Sequence, residues 1–173
     1  MKKVFALSVS LLVCMLISFA CKKSNNTTTT TNPPSSTTST PTNTTTTNFT
    51  VDGTAASNPI SYTTTGGGNF AVTGVDGSHQ YPQILLVFPG TSSPVSGVYP
   101  IVNTGGASPA AGHCELILTT TSGSYSAASG NVTVATTTTG TITSTSAYFS
   151  NITCTSTNVS SPTYTVTGNI KWP

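Results

Sequence analysis

From Phe49 onward apolar residues alternate with polar ones, mostly threonine, in short runs bounded by turn residues. Gly130-Asn131-Val132-Thr133-Val134 and Tyr164-Thr165-Val166-Thr167-Gly168-Asn169-Ile170 show it plainly. A two-residue period sends alternate side chains to opposite faces of a strand, whereas a helix needs a period near 3.6. No stretch after Ala20 carries the helical period. Composition supports the same conclusion. Charged residues are 5% of the chain, against about 25% in ordinary soluble domains. Threonine, about a fifth of all residues, takes their place. It is β-branched and favoured in strands, and its hydroxyl wets an exposed face without charge.

Turn signals divide this region into strands. Phe49-Thr50-Val51 runs into Asp52-Gly53. Ile60 to Thr65 and Asn69 to Val75 flank Gly66-Gly67-Gly68 and read as a hairpin. Gln83 to Phe88 is the most apolar run and predicts a buried central strand. Val98 to Val102, His113 to Thr120, Gly130 to Val134, Thr141 to Phe149 and Tyr164 to Ile170 follow. About eight short strands separated by turns predict an all-β fold, an antiparallel sandwich or barrel-like domain over residues 49–173.

The N-terminus is different in kind. Lys2 and Lys3 precede an apolar run from Val4 to Ala20, and the run ends Ser18-Phe19-Ala20-Cys21. A basic head, an apolar stretch and a small residue before the cut make a secretory signal. A retained transmembrane helix is the competing reading, but seventeen residues stand at the short end of the spanning range. Ala20-Cys21 resembles the lipobox of bacterial lipoproteins, with Ser18 and Phe19 departing from its commoner residues. The resemblance implies removal of residues 1–20, diacylglyceryl transfer to the Cys21 thiol and acylation of the new amino group. Two or more acyl chains anchor a protein stably where one does not. Lys22, in place of an aspartate after the cysteine, favours the outer membrane, with either face of it open.

Residues 21–48 hold threonine runs, Pro33-Pro34 and Pro41, with no aromatic or large aliphatic side chain after Cys21. Such a segment cannot bury enough surface to offset the entropy of ordering, and it reads as a disordered tether. As a flexible coil it would span about 25–30 Å. The last third of the chain is similar to the small secreted β domains of Gram-negative outer-membrane lipoproteins. The residues that carry this are Ser129 to Val134, Gly140-Thr141-Ile142 and Val166 to Ile170. That likeness implies a fold and a compartment, and no functional residue.

Charge excludes one class of partner. Without residues 1–20, Lys22, Lys23 and Lys171 balance Asp52, Asp76 and Glu115, and from Asn48 onward one lysine faces three acids. There is no arginine. A nucleic-acid binder needs a basic stripe, so none is expected as a partner. The expected partners are the membrane, through lipid on Cys21, and an envelope polysaccharide or protein.

With Cys14 in the signal and Cys21 lipidated, Cys114 and Cys154 remain. An even pair in an exported domain predicts a disulfide, worth about 4 kcal/mol for a loop of this length. Two buried free thiols are the alternative.

Few groups could do chemistry: Asp52, Asp76, Glu115, His79, His113 and Lys171. Asp52 and Asp76 each precede glycine and read as turn residues that bond nearby backbone. His113 and Glu115 would share a strand face, with Cys114 opposite. With His79 they form the weak candidate set for a metal or hydrolytic centre. No His-Glu-x-x-His, Gly-x-Ser-x-Gly or Cys-x-x-Cys occurs, and no cofactor is expected. The favoured reading is a non-catalytic binding or structural module, with glycan contact through Tyr62, Tyr81, Tyr99, Tyr125, Tyr148 or Trp172. The alternative is an envelope enzyme or metal protein using His79, His113 and Glu115. A third reading is ice or surface binding through Thr141-Ile142-Thr143 and Thr163-Tyr164-Thr165.

Overall fold

Alternation of buried and exposed side chains is the organising fact of the structure, a computed structural model that describes residues 46–156 and 161–173. The described residues are all-β: eleven strands and no helix. They are β1 (Asn48–Val51), β2 (Thr54–Ala55), β3 (Ile60–Gly66), β4 (Asn69–Val75), β5 (Gln83–Pro89), β6 (Gly97–Pro100), β7 (Glu115–Thr120), β8 (Gly123–Ala127), β9 (Asn131–Thr139), β10 (Ile142–Thr155) and β11 (Tyr164–Trp172). The expected signal peptide, Cys21 and all but the end of the expected tether lie outside the described residues. Thr46 and Thr47, at the end of the expected tether, bond to β11. The Asn169 amide donates to the Thr46 carbonyl at 2.9 Å, and the Lys171 N–H donates to the Thr47 hydroxyl at 3.0 Å.

The strands form one antiparallel sheet in the order β2-β1-β11-β10-β8-β7-β5-β4-β3, with β9 on β10 and β6 on β9. β10 shapes it. Its first half, Ile142 to Tyr148, pairs with β9, while Cys154 and Thr155 pair with β8 along the same edge. A bulge between Phe149 and Ile152 separates the halves. Asn151 takes φ 53° there, and the Thr167 hydroxyl accepts its N–H at 2.9 Å. Bulges bend a strand and raise its local twist.

The result is a curled, barrel-like sheet. Its ends approach each other at β3, β4 and β11. A Cβ on Gly74 of β4 would stand 2.9 Å from the Ile170 side chain of β11, so the glycine leaves room for that side chain. The Ser61 hydroxyl of β3 donates to the Lys171 carbonyl of β11. Trp172 closes this side, its ring 6.3 Å from Phe70 and its Nε1 donating to Ser93 Oγ at 3.0 Å. The enclosed core is contributed by alternate residues of each strand: Val72 of β4, Ile84 and Leu86 of β5, Leu116 and Leu118 of β7, Val132 and Val134 of β9, Val166 and Ile170 of β11.

Several details differ from the sequence reading. β2 and β8 were not anticipated. Gly123-Ser124-Tyr125-Ser126-Ala127 is built largely of small residues that carry little strand signal. His113 lies outside β7, in a turn where its N–H donates to the Ala110 carbonyl at 3.1 Å. It therefore does not share a strand face with Glu115. Thr141 belongs to the tight turn between β9 and β10, so Thr141-Ile142-Thr143 is no flat array.

The expected Cys114–Cys154 disulfide is corrected. Both cysteines are buried free thiols. Cys114 precedes β7 and Cys154 lies in β10, and β8 runs between them, pairing with both strands. Two inter-strand steps separate their chains by about 10 Å, beyond the roughly 7 Å that a disulfide tolerates between Cα atoms. The Cys114 thiol donates instead to the Tyr99 carbonyl at 3.7 Å. Burial pushes both thiols up to about 12, which leaves them unreactive at neutral pH.

Candidate functional site

The turn that leaves β4 brings a carboxylate and an imidazole, Asp76 and His79, into contact. Asp76 follows the last residue of β4 and is buried. Its Oδ2 accepts the Ser57 N–H at 2.8 Å, and its Oδ1 accepts the Ser78 and His79 N–H groups at 2.9 and 3.1 Å. The ring Nδ1 of His79 stands 3.2 Å from the same Oδ1. These donors, the Ser57 N–H foremost, hold the carboxyl below its ordinary range against the opposing effect of desolvation. Carboxylates that accept several N–H bonds behave this way. The backbone completes the turn, with the Gln80 N–H on the Asp76 carbonyl at 3.0 Å and the Asp76 N–H on the Pro82 carbonyl at 3.1 Å. Gly77 is required by close approach: a Cβ there would lie 2.4 Å from the Asn58 carbonyl oxygen.

This turn forms one wall of a cleft of about 370 Å3. The β1–β2 corner contributes Val51, Thr54, Ala55 and Ser57, and the β7–β8 turn contributes Thr120, Thr121 and Ser122. Tyr81 and Tyr164 supply aromatic surface. Tyr164 is fixed from behind, its ring 4.7 Å from that of Tyr125 and nearly perpendicular to it. Edge-on pairs of this kind are favourable beyond simple burial. Ser122 Oγ lies 3.2 Å from the Tyr125 hydroxyl and 3.3 Å from that of Tyr164. The cleft thus presents two tyrosines, several hydroxyls and an imidazole, over a carboxylate already occupied by its own loop.

Of the three residues expected to form a metal or hydrolytic centre, only His79 is here. His113 is held at the 110–113 turn, its Nδ1 3.2 Å from the Ala111 carbonyl. Glu115 is buried, and its Oε2 accepts the Thr104 hydroxyl at 2.8 Å. It fastens the loop between β6 and β7. No group of three or more His, Cys, Asp or Glu side chains converges among the described residues.

Among the aromatics expected to contact a ligand, Tyr99, Tyr125 and Trp172 are buried core residues. Tyr62 and Tyr81 are exposed. Tyr148 lines a larger depression of about 550 Å3 beside the β10 bulge. That depression holds no carboxylate or imidazole, so the smaller cleft is the better site on chemical grounds. Tyr164 was missed, because Thr163-Tyr164-Thr165 reads as one more exposed strand segment. Comparison with family models, with curated proteins and with solved structures finds no match for the chain.

Proposed function

We propose that this chain is a lipid-anchored module of the bacterial cell envelope, held by acylated Cys21, whose β domain binds uncharged saccharide in the Asp76–Tyr81 cleft. The observation that carries the reading is the pairing of aromatic surface with hydroxyl groups in one concavity. Tyr81 and Tyr164 offer apolar ring surface to the C–H face of a sugar, and Thr54, Ser57, Thr120, Thr121 and Ser122 offer donors and acceptors to its hydroxyls. Apolar surface with a few convergent polar groups is the usual make-up of a small-ligand site. Asp76 acts within the protein. With both oxygens engaged it holds the loop and orients the His79 ring, leaving Nε2 toward a ligand.

The test is calorimetric titration with neutral oligosaccharides released from envelope polysaccharide. Binding is expected, and Tyr81→Ala should weaken it at least tenfold while leaving the melting temperature within a degree or two. Failure of every neutral saccharide to bind, or binding indifferent to Tyr81→Ala and Tyr164→Ala, would overturn the site. In the same strain, Cys21→Ser should shift the protein from the membrane to the soluble fraction. An unchanged distribution would refute the anchor independently of the cleft.

A further inference from the structure

β10 changes partner along one edge, and a concavity opens where it does so. Tyr148 is the last residue paired with β9, and Cys154 the first paired with β8. The residues between them, Phe149 to Thr153, have no strand partner on that edge. They form one wall of the depression of about 550 Å3, and the chain entering β9, Ser129 to Asn131, forms the other. Gly130 leaves room at the base, since a Cβ there would stand 2.5 Å from the Ile152 side chain. Two exposed asparagines face this space from the two walls. Among the described residues, nothing hydrogen-bonds the Asn131 amide. Asn151 sits at the bulge with φ 53°, a left-handed conformation that asparagine tolerates. The Thr167 hydroxyl accepts its backbone N–H at 2.9 Å and donates to its Oδ1 at 3.5 Å. Bulges re-aim a side chain, and here one threonine holds the side chain that is re-aimed.

We infer that this depression is a second binding site for neutral saccharide, separate from the Asp76–Tyr81 cleft, with which it shares no lining residue. Its functional groups select the ligand. A carboxamide presents a donor and an acceptor side by side. Adjacent sugar hydroxyls, each a donor and an acceptor, match that pair. Thr133, Ser150 and Thr153 add hydroxyls of the same dual character. The half-buried ring of Tyr148 supplies apolar surface for the C–H face of a sugar. An apolar ligand would bury these amides and hydroxyls unpaired, which costs free energy. An added peptide strand needs a regular edge, and a bulge twists this one away from pairing. No described side chain that lines the depression is charged, so the matching sugar is a neutral one.

Two-dimensional amide NMR of the full chain, titrated with the neutral oligosaccharides used for the cleft, tests this. Shifts are expected at Asn131, Thr133, Asn151 and Thr153, and they should persist in Tyr81→Ala. Asn131→Ala and Asn151→Gly should each raise the dissociation constant read at Thr133 and Thr153 at least fivefold. Glycine accepts the backbone conformation of residue 151, so the second variant removes the amide and keeps the bulge. Amides of Tyr81 and Ser122 report the cleft separately, so the failure of either site is read without the other. No shift at the four residues, shifts lost in Tyr81→Ala, or shifts indifferent to both asparagine substitutions would overturn the inference. So would equal shifts from an uncharged glycine–serine peptide, since that makes the depression a peptide contact.

Discussion

The far end of the β9–β10 hairpin and the β4–β5–β7 sheet are both antiparallel, yet they finish their strands in opposite ways. From Thr138 to Thr143 the hairpin outruns the core and is exposed at every residue. Four of these six residues are threonine, beside Gly140 at the turn and the exposed Ile142. Thr136 pairs with Thr145 and Thr138 with Thr143, their hydroxyls 3.4 and 3.1 Å apart. β4, β5 and β7 sit over the middle of the core, and their outward residues include Ala71, Leu85, Val87 and Ile117 beside Thr73, Gln83, Glu115 and Thr119. Where this chain leaves a strand in water it uses mostly threonine, with Ile60 and Ile142 as exposed exceptions. Leucine and isoleucine on the outside of β5 and β7 are instead half-buried over the core.

The sharpest way to break this comparison is to truncate adjacent residues of β5. Leu86 is fully buried, and Leu86→Ala should cost about 2–5 kcal/mol by opening a cavity in the core. Leu85→Ala, one residue away on the outer face, should cost no more than about 1 kcal/mol. Urea unfolding reads both. Equal losses would mean that the outer row is packed as tightly as the core.

A middle-sized effect concerns the cleft. The folded-state pKa of Asp76 lies below its unfolded value, so its contribution to stability is present above the unfolded pKa and is lost as pH falls through the folded one. The melting temperature should therefore drop as pH falls below about 4, and Asp76→Ala should flatten that part of the profile. An unchanged acid limb in the variant would remove Asp76 from the account. The smallest effect belongs to the hairpin. Thr138→Val removes one hydroxyl from an exposed pair and should change stability by no more than about 0.5 kcal/mol. A loss above about 1 kcal/mol would show that the threonine ladder does more than keep the strands wet.

Much of the fold was legible because alternation is a local signal. Ile60 to Val75 reads as a hairpin from its three glycines, and the structure has that hairpin. Gln83 to Phe88 reads as a buried central strand. It is central, but only Ile84, Leu86 and Phe88 enter the core. A run apolar at every position cannot say which of its faces turns to the core. Strand order was not legible. Nothing at Cys114 or Cys154 reveals that β8 will run between them, so counting cysteines led to a bond that the topology forbids. The cleft was legible only in pieces. Asp76, His79 and Tyr81 lie close in sequence, but Ser57, Ser122 and Tyr164 reach them through the curl of the sheet, which rests on contacts far apart in the chain.

Native-state amide hydrogen exchange tests the contrast between the two regions most directly. The account predicts slow exchange at Leu85, Val87 and Ile117, which back onto the core, and fast exchange from Thr138 to Thr143. Equal protection in the two regions, or slower exchange in the hairpin, would contradict it.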